Sequence, residues 1–231
     1  MKTAGIIGGI GPESTIEYYR LAVALYRERT GDGSYPPLLI NSIDLSKMLG
    51  LIGESRLPEL TDYLLGEVEK LARAGADFGA LAANTPHVVF EPLQQRSTIP
   101  LISIVESTCR AAGARGLRRV GLLGTRFTMQ ASFYPESLAR SGIALALPTS
   151  EEQDYIHEKY MGELLKGVFR SETRERLLAV VERLRTKDGI DGVILGGTEL
   201  PLILSDEKQA GLPLLDTTRI HVGEIVATMC S

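Results

Sequence analysis

Two short runs place amide, hydroxyl, imidazole and carboxylate groups directly after stretches that read as buried strands. The first is "LAANTPH", Leu81 to His87, which follows the apolar "ADFGA" and carries Asn84, Thr85 and His87. The second is "LGGTELP", Leu195 to Pro201, which carries Thr198 and Glu199. Amides and hydroxyls hold a carboxylate or an amine by hydrogen bonds, and an imidazole or a carboxylate can move a proton. Standing alone, Asn84 and Thr85 would serve as turn caps and His87 as a hydrogen-bonded histidine on a helix's first turn. They do not stand alone. "GADFGALAANT" from Gly75 resembles "GIDGVILGGTE" from Gly189, an offset of 114, and "AGIIGG" from Ala4 resembles "VGLLGT" from Val120, an offset of 116. Nearly equal offsets predict two related halves.

Other strand ends carry similar groups: Ser14 and Thr15 in "GGIGPEST", Asn41 and Ser42 in "NSID", and Thr125 and Thr128 in "GTRFT". The glycine run matches neither nucleotide-loop pattern, which makes a nucleotide site the weaker reading. No Lys follows Gly8, Gly9 and Gly11, and their spacing is not that of a dinucleotide fingerprint. Its N–H groups at a helix start would suit an anion such as a carboxylate. Lys47 reads as a second cation or as a solvated side chain. Cys109 and Cys230 are too few for a disulfide framework, lack metal-ligand spacing, and read as small hydrophobic residues.

The elements that must position these groups alternate between β-like runs and helical periods, the pattern of an α/β fold with parallel sheets. Strands are expected at Thr3–Gly9, Pro37–Asp44, "FGALAAN", "PLISIVE", "RRVGLLGT", "IALALP" and "GVILGG". Helices are expected over about 13–29, where Ser14 or Glu13 can cap, and over 56–74, up to 114, 130–141, 154–169, 172–186 and 218–228. The first half takes residues 1–98 and 213–231, and the second takes 99–212. In parallel sheets ligands bind beyond the carboxyl ends of the strands. The expectation is therefore two pseudo-symmetric α/β halves that enclose a cleft lined by these strand ends.

Composition excludes several classes. With 44% hydrophobic and 23% charged residues over 231 positions, this is ordinary globular material. A net charge of -4, with 25 basic residues scattered among 29 acidic ones, offers no positive field for nucleic acid. "MKTAGIIGGIGPEST" has too short an apolar run for a signal segment, and no run approaches a membrane span, so a cytoplasmic protein with no membrane partner is expected.

In series, "IIGGIGPEST", "NSID", "AGADFGALAANTPH", "GLLGTRFTM", "ILGGTELPL" and "LLDTTRIH" resemble the cofactor-independent aspartate/glutamate racemases over essentially the whole chain. The resemblance implies a homodimer that holds an acidic amino acid between its α/β halves without pyridoxal phosphate, metal or nucleotide. It also implies two cysteines facing opposite sides of the α-carbon, one removing a proton as thiolate and the other delivering one as thiol. Those cysteines precede the N-T of the first motif and the T-E of the second, and here the positions are Ala83 and Gly197. Neither a methyl group nor a hydrogen transfers protons. The implied binding shell remains: Ser14, Thr15, Asn41, Ser42, Asn84, Thr85, Thr125, Thr128, Thr198 and Glu199. Lys166 resembles a family lysine that helps hold a substrate carboxylate, and also reads as a solvated helix lysine. His221 resembles a family histidine near the site, and equally fits a helix-start hydrogen bond. His87, His221 and Glu199 are the candidate acid/base groups for other chemistry on a related carboxylic acid, such as that of a lyase, decarboxylase or isomerase. A ligand-binding protein without turnover is the third reading.

Overall fold

A computed structural model describes the backbone of residues 1–231 and every side chain but that of Pro12. The chain divides into two compact units, Met1–Ile104 with His221–Ser231, and Val105–Ile220. The crossings expected from sequence lie a few residues earlier. Residues 214–216 stay with the second unit because they hydrogen-bond into its sheet.

The first unit contains β1 (Ala4–Gly8), α1 (Pro12–Thr30), β2 (Leu38–Ser42), α2 (Leu45–Gly53), α3 (Leu57–Arg73), β3 (Phe78–Leu81), α4 (Phe90–Arg96) and β4 (Leu101–Ile102). Its sheet is all parallel, in the order β2-β1-β3-β4. Every residue of β1 and β3 is buried, as continuous apolar strands covered on both faces must be. Strand alternation divides the core. Ala4, Ile6, Phe78 and Ala80 pack with Tyr18, Leu21 and Tyr26 of α1 and with Val222, Ile225 and Met229. Ile7 and Leu81 pack on the other side with Leu60, Leu64, Val68 and Leu71 of α3.

The second unit contains α5 (Ile104–Ala114), β5 (Arg119–Gly124), α6 (Arg126–Gln130), α7 (Phe133–Arg140), β6 (Ala144–Ala146), α8 (Ser150–Gly162), α9 (Ser171–Arg183), β7 (Gly192–Gly196), α10 (Leu200–Ile203), α11 (Glu207–Ala210) and β8 (Leu214–Asp216). The helix α12 (Thr217–Met229) has its residues from His221 onward grouped with the first unit. The second sheet is again all parallel, in the order β6-β5-β7-β8. The two sheets therefore share one topology. The repeated segments occupy matching strands, β1 with β5 and β3 with β7.

Several elements differ from expectation. "PLISIVE" forms only the two-residue β4 before turning helical at Ile104. The helix expected over 130–141 is two helices, because Thr125 caps α6 early and the chain restarts at Phe133. The helix expected to reach residue 169 ends at Gly162, followed by a single 3-10 turn that Gly167 closes at φ 69°. Neither Ser14 nor Glu13 caps α1, whose N-cap is Gly11. The sequence reading contained neither α2, capped by Asp44, nor the three-residue β8. No helix among the described residues is long and apolar enough to cross a membrane.

Candidate functional site

Each unit ends its parallel strands in a polar set, and each set is built differently. In the first unit, the glycine run after β1 is used for close packing. Gly9 has φ 78°, and a side chain there would strike the backbone of Ile43. The Gly9 N–H donates to Thr15 Oγ1 at 2.8 Å, so this donor is already occupied. Ser14 Oγ donates to the carbonyl of Ala82 at 2.7 Å and ties α1 to the end of β3.

Asn41 turns toward α3 and donates through Nδ2 to Glu67 Oε2 at 2.8 Å, beside Lys70 Nζ at 2.7 Å. Burial works to raise the Glu67 carboxyl, but Lys70 and Asn41 outweigh it and hold it below its ordinary value. Ser42 is exposed at the end of β2. Ala83 is half-buried just past β3, and Asn84 is buried next to half-buried Thr85.

Both candidate histidines of this unit have their ring nitrogens engaged. His87 Nδ1 lies 3.1 Å from the Ala83 carbonyl, and the Ile104 N–H donates to Nε2 at 3.2 Å. A carbonyl only accepts and an amide N–H only donates, so the proton is on Nδ1 and the ring is neutral. Burial pushes the His87 pKa down to about 3, with His221 contributing. The ring also stacks on Phe90, with centroids 4.9 Å apart. The same logic puts the His221 proton on Nε2, which donates to the Ile102 carbonyl at 2.9 Å, while the Tyr18 hydroxyl meets Nδ1 at 2.7 Å. These two rings join β3, β4, α1 and α12 within the unit. Neither keeps a nitrogen free for proton transfer in this arrangement.

In the second unit, Thr125 Oγ1 caps α6 by accepting from the Thr128 N–H at 3.2 Å and lies 3.1 Å from Thr128 Oγ1. The buried Thr128 side chain fills space against Gly124 and Gly196, where an added Cβ would come within 3.1 and 3.2 Å of it. Lys166 is exposed on the 3-10 turn after α8. Lys47 of the first unit is also exposed, with Nζ 4.1 Å from the centroid of the Tyr63 ring.

Gly197, Thr198 and Glu199 follow β7 and are all buried. Thr198 Oγ1 donates to Glu199 Oε2 at 2.8 Å. The same oxygen accepts from the hydroxyl of Tyr160, a buried residue of α8. Sequence reasoning missed Tyr160, which looks like one more member of the buried stripe Gln153, Ile156, Tyr160. A signal was present in Gly197, because a glycine at a buried strand end leaves a volume that some other side chain must fill. Burial and then the Glu199 charge push the Tyr160 phenol well above its ordinary range, so it keeps its proton.

The two cysteines lie apart from these sets. Cys230 is exposed near the C-terminus, and burial raises the α5 residue Cys109 to about 11. Among the described residues, no group of three or more His, Cys, Asp or Glu side chains could hold a metal ion.

Comparison with known proteins matches residues 7–225 to the family model Asp/Glu/Hydantoin racemase. A broad specificity amino-acid racemase of Bacillus subtilis is 25% identical over 97% of this chain and 96% of its own length. The crystal structure of an aspartate racemase homologue from Pyrococcus horikoshii superposes with a TM-score of 0.89 at 34% identity, each chain being covered completely. An aspartate racemase from Picrophilus torridus, at 20% identity, shares the fold with a TM-score of 0.81, covering 100% of this chain and 95% of its own.

Proposed function

This chain belongs to the Asp/Glu/Hydantoin racemase family, and from that premise we propose that it binds a small acidic amino acid, aspartate or glutamate, without pyridoxal phosphate or metal. In this reading the strand-end groups Asn84, Thr85, Thr125, Thr128, Thr198 and Glu199 hold the ligand, and the α-carbon chemistry does not run through two thiols. The observation that carries it is the pair of polar strand-end sets on two sheets of identical order, inside the span that matches the family.

Ala83 and Gly197 stand where the resemblance places the two thiols. Losing a general acid/base group typically costs about 10²- to 10⁴-fold in rate. A second reading, ligand binding without turnover, draws support from the Tyr160 ring, which occupies the space beside Gly197. Calorimetry with L- and D-aspartate and L- and D-glutamate tests the binding claim. At least one enantiomer is expected to bind, and no heat with any of the four would sink it. Proton NMR in D₂O on the same four acids then separates turnover from binding alone.

A further inference from the structure

The volume that a side chain at residue 197 would occupy is filled by a phenol. A Cβ built on Gly197 would lie 2.5 Å from both the hydroxyl oxygen and Cε2 of Tyr160 and 2.8 Å from Cζ. Tyr160 in this position and any side chain at 197 exclude one another. The phenolic oxygen thus stands at the end of β7, within reach of the place where a residue-197 side chain would act. It is bonded to a carboxylate with an uncommon environment. Glu199 is 2% exposed, and its hydrogen-bond partners among the described residues are two neutral hydroxyls, from Tyr160 at 5% exposure and Thr198 at 9%. Among the described residues no Lys, Arg or His side chain pairs with it. A buried carboxylate held only by hydroxyls gains from meeting a cationic group of a ligand.

We propose that Tyr160 and Glu199 together form the proton-transfer group of the second unit, a phenol–carboxylate pair in place of a thiol, acting on one face of a bound amino acid's α-carbon. The proposal rests on the family reading above. As a base the pair works as a relay. The Tyr160 oxygen takes the α-proton while its own O–H proton passes to Glu199 Oε2. The C–H bond breaks, its electron pair stays on the α-carbon and spreads into the adjacent carboxylate of the ligand, and phenol and carboxylic acid are both left neutral. The reverse relay returns a proton to the same face and restores the Glu199 carboxylate. Because the phenol keeps its proton near neutrality, the carboxylate is the acceptor and the phenol is the conduit.

Among the described residues the first unit offers no matching group. Ala83 ends in a methyl, and both nitrogens of His87 and of His221 are engaged. One pair on one face exchanges an α-proton without inverting the centre.

The test uses the intact protein in D₂O with each enantiomer of aspartate and glutamate, followed by proton NMR and optical rotation, with calorimetry in parallel. The expected result is deuterium uptake at the α-carbon of one enantiomer with its rotation retained. Tyr160→Phe keeps the ring and the fold, and Glu199→Gln keeps the shape. Tyr160→Phe should lower exchange by about 10²- to 10⁴-fold while leaving binding within a few-fold, and Glu199→Gln should lower exchange to the same extent while also weakening binding, because Glu199 is one of the groups that hold the ligand. Four results overturn the proposal: binding with no exchange, exchange that Tyr160→Phe leaves intact, inversion as fast as exchange, or losses of exchange matched by equal losses of binding in both variants. Absence of binding to all four acids removes the amino-acid reading itself, and this proposal with it.

Discussion

The two units use one topology and arrive at opposite treatments of their ionisable strand-end groups. In the first, the two histidines and their polar neighbours hold secondary structure together. His87 is neutral with an acceptor and a donor in place, both ring nitrogens of His221 are hydrogen-bonded, and Asn41 and Ser14 are bonded to neighbouring elements. In the second, Thr198, Glu199 and Tyr160 form a buried set in which, among the described residues, a carboxylate has hydroxyl partners only. The difference shows that a repeated backbone keeps the same strand ends without keeping the same groups packed at them.

The largest effect expected on this comparison comes from Tyr160→Ala. It removes a buried aromatic ring, which costs about 3–5 kcal/mol, and strips one donor from Glu199. Chemical denaturation should show the loss. Adding Gly197→Cys to Tyr160→Ala should recover part of it, because the new side chain enters the vacated volume. For the same reason, restoring thiols needs three changes, Ala83→Cys, Gly197→Cys and Tyr160→Ala. If racemisation of aspartate or glutamate appears in that triple variant, the rest of the binding shell is competent.

A pH experiment addresses the first unit. The His87 pKa is depressed from its ordinary value to about 3. Below about pH 6.5 the unfolded chain takes up a proton that the folded ring refuses. This contribution to stability is therefore complete above pH 6.5 and fades as pH falls toward 3, by on the order of 3 kcal/mol at pH 4. Melting temperature should fall with acid, and His87→Gln, which cannot titrate, should be less stable at pH 7 but flatter below it. An equally steep acid slope in that variant would contradict the assignment.

Smaller again is the contrast between Gly197→Ala and Ala83→Gly. The first forces a methyl to 2.5 Å from Tyr160 and should cost about 1–3 kcal/mol by overpacking. The second removes one methyl from a half-buried position and should cost about 1 kcal/mol or less. Equal melting temperatures for the two would mean that Tyr160 yields its place freely. The smallest effect belongs to Thr125→Ala, which removes the cap of α6 at about 1 kcal/mol and should leave the first unit unaffected.

Much of the fold was legible in the chain. The buried strands β1, β3, β5 and β7 are short apolar runs closed by glycines or polar residues, and their two internal likenesses report the repeated sheet. The short elements were not legible. Leu214–Asp216 is three residues of "LLD", which carries no period until β7 pairs with it. The start of α5 within "PLISIVE" is invisible because an apolar run serves a strand and a buried helix turn equally. Of the site, residue types were legible and their commitments were not. His87 and His221 look like acid/base groups until the carbonyls of Ala83 and Ile102 are seen to accept hydrogen bonds from their ring N–H groups.

The amino-acid sequence by itself determined the α/β class, the repeat, the strand ends at which polar groups gather, and the presence of Ala83 and Gly197 where a family resemblance implies cysteines. These follow from local patterns, because hydrophobic period and motif order survive without coordinates. Only the tertiary structure decided that Tyr160 fills the space beside Gly197 and donates to Glu199. That contact joins residues far apart in the chain, and its physical basis is volume. A glycine at a close-packed strand end cannot leave a void, and which distant side chain fills it is a property of the packed core.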